Sequence, residues 1–260
     1  MPQGRLSDTA FAALGQAMGV RLAALVRARI AVPVNNVTLQ GLRSFLDAVE
    51  HAPRLTDLHL DISGNLIRGV EYGCEVARLA RIPRLTSLAV TFGGWAMRKQ
   101  FGLQSLAALQ HARGLRQLSL TIIGARITCD FFKKAVAGIA LLPCLEELTL
   151  DVARCEVGEQ CHRALSQLRE APLLRRLSLS LGAPTERLLL ALGALRHAPR
   201  IRCLDLSIDH RMHTLEREHL PGAAFSCERR PSRVSPRVPG RHPRGGAEHP
   251  PRAAPRGDRV

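Results

Sequence analysis

Apolar residues recur along this chain in blocks of four fixed positions. The segments RLTDLHLDI, RLTSLAVTF, GLRQLSLTI, CLEELTLDV, LLRRLSLSL and RIRCLDLSI align without gaps. Their first apolar position holds Leu55, Leu85, Leu115, Leu145, Leu174 and Ile201, and the second Leu58, Leu88, Leu118, Leu148, Leu177 and Leu204. Two more follow at intervals of two, as in Leu60 and Ile62. A degenerate copy precedes them at Leu25, Ala28, Ile30 and Val32, so the chain contains seven units. Period-two alternation of this kind predicts a strand with one buried face. Between the strands the spacing changes to helical, with pairs such as Leu46/Val49, Val76/Leu79, Leu106/Leu109 and Leu165/Leu168, each followed three residues later by a further apolar residue. These positions form one inward stripe on a helix. Pro53, Pro83, Pro143, Pro172 and Pro199 then end it, because proline cannot continue a helix.

A strand-loop-helix unit of about 30 residues cannot bury its own apolar face. Stacked neighbours supply the missing wall, so the pattern predicts an α/β solenoid with a parallel inner sheet and outer helices. The run L-x-x-L-x-L with a helix at this period resembles the leucine-rich repeat family, in its ribonuclease-inhibitor-like class, over roughly residues 23–210. The family's Asn/Cys position, which the resemblance implies hydrogen-bonds loop backbone, falls at Asn35, Asn65 and Cys155. Trp95, Ala125 and Pro184 depart from it. The resemblance implies a horseshoe-shaped scaffold for protein binding. Some members of the class stimulate a small GTPase, and others are substrate receptors of ubiquitin ligases. The latter role needs an adaptor-binding module that residues 1–22 are too short to supply.

The expected organisation is an N-terminal helical cap or start of the first repeat over 1–22, the array over 23–215 and a disordered tail over 216–260. Ser7-Asp8 is a candidate helix N-cap. Residues 221–260 hold nine Arg, eight Pro and no Leu, a composition that cannot offset its ordering entropy. An Arg-rich tail could contact nucleic-acid phosphates. GC-rich DNA read in a wrong frame yields the same composition, so this warrant rests on charge alone. The whole chain has 37 Lys and Arg against 22 Asp and Glu.

No apolar run reaches the roughly 18 residues of a membrane span, and the first residues lack the features of a secretory signal. Seven cysteines without a C-x-x-C pair suggest neither a disulfide framework nor a zinc module. A reducing, cytoplasmic or nuclear setting is expected, with no cofactor and no membrane partner. No nucleotide-binding or hydrolase motif occurs, so the chain reads as non-catalytic.

Residues between the buried strand positions face the other way, onto the predicted concave surface. They include three Arg and five acidic residues around a centre rich in Ser and Thr. A groove for nucleic acid would present basic residues and stacking aromatics in quantity. The candidate partner-binding residues are therefore Asp57, His59, Asp61, Glu147, Thr149, Asp151 and Arg176, together with Trp95 in TFGGWAMRKQF. The expected partner is a protein of basic or mixed charge, bound through the concave sheet face or the adjacent loops. His51, His111 and His197 recur before the proline position, where a helix C-terminus favours partial positive charge; separate repeats do not bring them together as metal ligands.

Overall fold

The computed structural model describes residues 5–21, 23–67, 72–94, 103–157, 159–182, 186–198 and 200–208. Trp95, Pro184, Pro199 and the tail over 216–260 lie outside them.

Seven strands form one sheet in sequence order: β1 (Arg27–Ala31), β2 (Asp57–Asp61), β3 (Ser87–Gly93), β4 (Gln117–Ile127), β5 (Glu147–Val157), β6 (Arg176–Leu181) and β7 (Cys203–Ile208). Every pairing is parallel, and the register matches the repeat. Ala28 lies against Leu58, Leu58 against Leu88, and the column continues through Leu118, Leu148 and Leu177 to Leu204. The inward positions of β2 to β6 are buried, and a fully buried leucine contributes roughly 1.5–3 kcal/mol. The degenerate first copy pairs in register with β2, so it is a true unit.

Just ahead of each of β1 to β6, one carbonyl accepts two successive N–H groups from the next unit. Thr56 O receives Thr86 N–H and Ser87 N–H, and Arg116 O receives Glu146 N–H and Glu147 N–H. Thr56 and Thr86 hydroxyls donate to the same carbonyl acceptors, Val26 O and Thr56 O.

The outer layer contains α1 (Asp8–Gln16), α2 (Leu39–Val49), α3 (Tyr72–Arg78), α4 (Cys129–Ala140) and α5 (Glu186–Leu195). Two units differ from the helix expected at the spacing given above. Leu103–His111 and Glu159–Glu170 are 3₁₀ helices. Leu106, Leu109 and Ala112, like Leu165, Leu168 and Ala171, stand three apart, a spacing that a helix with three residues per turn places in one line and that the α-helical units share.

Ser7 caps α1 as expected, its hydroxyl accepting from Ala10 N–H. Its neighbour Asp8 reaches into the next unit and accepts from the N–H and hydroxyl of Thr38, the N-cap of α2. Gly41 leaves the space for this contact, since a Cβ there would lie 2.2 Å from Asp8 Oδ1. Phe11 and Phe45 stack with centroids 4.4 Å apart. The segment before β1 thus packs on α2 as an outer-layer helix.

The Asn/Cys position does the work that the resemblance implied. Asn65 is buried; its Oδ1 accepts from Val37 N–H, and its Nδ2 donates to Val32 O and Ile62 O. Asn35 accepts from Leu6 N–H and donates to Pro33 O. At Cys155 the thiol donates to Ile122 O, the equivalent of Val32 O in the preceding unit.

Candidate protein-binding face

Strand register sorts the solvent side of the sheet into three columns. The first runs Arg27, Asp57, Ser87, Gln117, Glu147, Arg176 and Cys203. The second contains His59 and Thr149, separated by Ala89 and Ser119; the third contains Asp61 and Asp151, separated by Thr91 and Thr121. Sequence alternation gave the face. Only the pairing gives the order across it.

That order is symmetrical in charge along the first column. A neutral centre, Ser87 and Gln117, is flanked by Asp57 and Glu147, and these in turn by Arg27 and Arg176. Arg27 Nε lies 3.6 Å from Asp57 Oδ2, and Arg176 Nη1 lies 3.7 Å from Glu147 Oε1. The two Arg side chains are 82% and 69% exposed, so both pairs are loose, hydrated and screened by salt. Such pairs can exchange partners at little cost. Asp57 and Glu147 stand three strands apart, about 14 Å at the usual strand spacing, so the two acidic spots do not merge into one.

Asp61 and Asp151 have a different task. Asp61 Oδ1 accepts from both Ser63 N–H and the Ser63 hydroxyl, and Asp151 Oδ1 accepts from Ala153 N–H. Asp61 closes the turn that follows β2, whereas Asp151 lies within β5 at the register shift between Asp151 and Arg154. His59 and Thr149 are half-buried in the middle column. Trp95 lies outside the described residues.

A groove of about 460 Å³ opens along the lower edge of β1 to β5, between the first column and the residues ahead of it. Arg116 and Glu146 line it, joined by a 3.1 Å ion pair, with Thr56 and Thr86 between them and Arg27. Sequence reasoning missed these residues because it counted only alternate positions inside the strands. The signal was present in the polar doublets Thr56-Asp57, Thr86-Ser87, Arg116-Gln117 and Glu146-Glu147, which immediately precede the first leucine of β2 to β5.

The repeating histidines stay on the outer surface. His51, His111 and His197 are exposed; His51 Nδ1 lies 2.8 Å from Asp47 O, and Arg196 Nε donates to His197 Nε2. Among the described residues no group of three His, Cys, Asp or Glu is placed to hold a metal ion. No helix there is long and apolar enough to cross a membrane.

No protein-family model matches the chain, and no curated protein matches it. Among solved structures, an internalin (inlF) of Listeria monocytogenes is similar over 71% of this chain at 16% identity, with a TM-score of 0.40. The chain spans 48% of that protein's length. Internalin C2 of the same organism is similar over 79% of this chain and 77% of its own, at 15% identity and a TM-score of 0.36. The sheet order, the one-repeat register and the asparagine turns make the architecture a leucine-rich-repeat solenoid, with seven units among the described residues.

Proposed function

We propose that this chain is a non-catalytic interaction scaffold of the ribonuclease-inhibitor-like class, binding a protein partner through the solvent face of its sheet. The observation that supports this reading is the symmetrical first column: Arg27, Asp57, a neutral centre, Glu147 and Arg176, continued by the Arg116–Glu146 groove. A partner matching it presents basic groups about 14 Å apart with acidic groups outside them. Loose surface pairs give such a partner steering and register more than raw affinity. His59, Thr149 and the carboxylates Asp61 and Asp151 belong to the same face, and Trp95 to the same set of candidates. A reducing, cytoplasmic or nuclear setting is part of the proposal, and the odd count of seven cysteines without a C-x-x-C pair supports it.

The test is affinity capture by the whole chain, with and without nuclease, followed by identification and direct binding of what is retained. Asp57→Lys with Glu147→Lys should abolish capture of a stoichiometric protein. Lys133→Glu with Lys134→Glu, on exposed positions of α4, should leave it intact. Asp61 and Asp151 are poor choices for charge reversal, since their loss disturbs the turn after β2 and the register shift inside β5. Capture unaffected by the first pair removes the sheet face from consideration. Capture that vanishes with nuclease transfers binding to the Arg-rich tail.

A further inference from the structure

Cysteines one repeat apart in sequence become neighbours when the units stack. Cys129 is the first residue of α4, and Cys161 occupies the buried stripe of the following 3₁₀ segment. Their sulfurs lie 2.7 Å apart, against about 2.05 Å for a formed S–S bond, and neither is in a disulfide. The two side chains belong to the outer segments of successive repeats, away from the solvent face of the sheet.

We propose that Cys129 and Cys161 are a reversible redox pair, oxidised by a glutathione-class disulfide to an intramolecular bond that joins two neighbouring repeats. Accessibility sets the order of events. Cys129 is half-buried and Cys161 is 1% exposed, so the oxidant meets Cys129 first. The Cys129 thiolate attacks one sulfur of glutathione disulfide; a mixed disulfide forms, and the first glutathione leaves as a thiolate that takes up a proton. Cys161 then gives its proton to solvent and attacks the Cys129 sulfur. The Cys129–Cys161 bond forms, the bond to glutathione breaks, and the second glutathione departs. Two protein thiols are oxidised, and one glutathione disulfide is reduced to two thiols. In a reducing compartment the dithiol is the resting form, and disulfides there are transient and redox-sensing.

Cys155 provides an internal contrast. It is buried, donates to Ile122 O, and its thiol is pushed up to about 11, first by burial, so little of it is thiolate at neutral pH. Proximity and access single out the other pair.

The experiment equilibrates the full-length chain with graded mixtures of oxidised and reduced glutathione and maps the non-reduced peptides by mass spectrometry. A Cys129–Cys161 cross-link should form, lighter by two hydrogens and reversed by dithiothreitol, while Cys155 stays reduced. The closed loop of about 30 residues should raise the thermal midpoint on the order of 5 °C. Cys129→Ser should abolish both the cross-link and this rise. Cys161→Ala should leave Cys129 arrested as its glutathione adduct. The proposal falls if wild-type Cys129 stops at that adduct, if Cys161 links elsewhere, or if Cys129→Ser keeps the rise in midpoint.

Discussion

At Val34 the backbone enters the left-handed region with φ 56°, where the next three units place Gly64, Gly94 and Gly124. Within the column glycine is required by space as well as by φ, because a Cβ at Gly94 would lie 2.9 Å from Gly64 Cα. Val34 stands at the end of the column, 66% exposed, and so keeps its side chain while bearing the strain. A β-branched residue in this region costs about 1–3 kcal/mol, and glycine returns about 0.5–1 kcal/mol of that through the freedom of the unfolded chain. Val34→Gly should therefore stabilise the fold by about 1 kcal/mol, seen as a higher urea midpoint; a lower midpoint contradicts the strain argument. Cys155 makes a pH prediction. Burial foremost, with the Asp151 charge, raises its pKa from 9.0 to about 11 against the backbone N–H groups of Ala125 and Gly124. Folding thus favours the neutral thiol. Its stabilisation is complete below pH 9 and is lost as pH climbs through about 11. Stability of the wild-type chain should fall across this window by on the order of 2 kcal/mol more than that of Cys155→Ala, measured by denaturant titration at each pH. Equal slopes would remove the thiol from the account. Asn65 and Cys155 were legible in the sequence because each is a polar residue at a fixed distance from a leucine pattern. Val34 was not, since nothing in a valine announces positive φ.

The outer helices are joined by charge as well as by apolar packing. Arg78 on α3 donates to Asp47 and Glu50 at the end of α2 and to Glu75 one turn back, and Arg43 on α2 also reaches Glu75 at 2.8 Å. Burial by itself lowers the Arg78 pKa, yet the three carboxylates outweigh it and the net shift is upward. Its side chain is only 20% exposed and that of Glu75 only 9%, so removing the guanidinium leaves poorly hydrated carboxylates facing one another. Arg78→Met should cost about 2 kcal/mol, less than a fully buried pair because Asp47 remains in water. Arg27→Met removes an exposed partner of Asp57 and should change stability by less than about 0.5 kcal/mol. Equal effects in the two variants, compared by urea unfolding, would make the Arg78 network an ordinary surface pair. Sequence spacing could not show it, because charges on the polar face of an amphipathic helix read as solvated. Nor could spacing separate α from 3₁₀ geometry. Leu106 and Leu109 are three apart and satisfy both.

At the scale of the molecule, each unit depends on its neighbours for burial, so stability is approximately a sum of unit and interface terms. The leucine pattern of β7 is as complete as that of any other strand, with Leu204 and Leu206 on the inward positions. Their exposure is nevertheless 46% and 39%, whereas the equivalent Leu177 and Leu179 on β6 are 1% and 0% exposed. Among the described strands β7 pairs with β6 alone. A sequence states which residues face the core, but burial also requires a wall on the far side, and that belongs to the next unit. The Cys129–Cys161 contact was hidden for the same reason, since two thiols 32 residues apart meet only once their repeats are stacked. Apolar burial contributes roughly 25 cal/mol per Å², so β7 is held by much less than the strands at the middle of the sheet. Native-state hydrogen exchange should then show Cys203–Ile208 opening at free energies several kcal/mol below those of residues 117–122 on β4, with β2, β3, β5 and β6 close to the latter. Protection of β7 equal to that of β4 would mean that a covering surface lies against Leu204 and Leu206 in solution, and the interface sum would then need a further term at that end of the array.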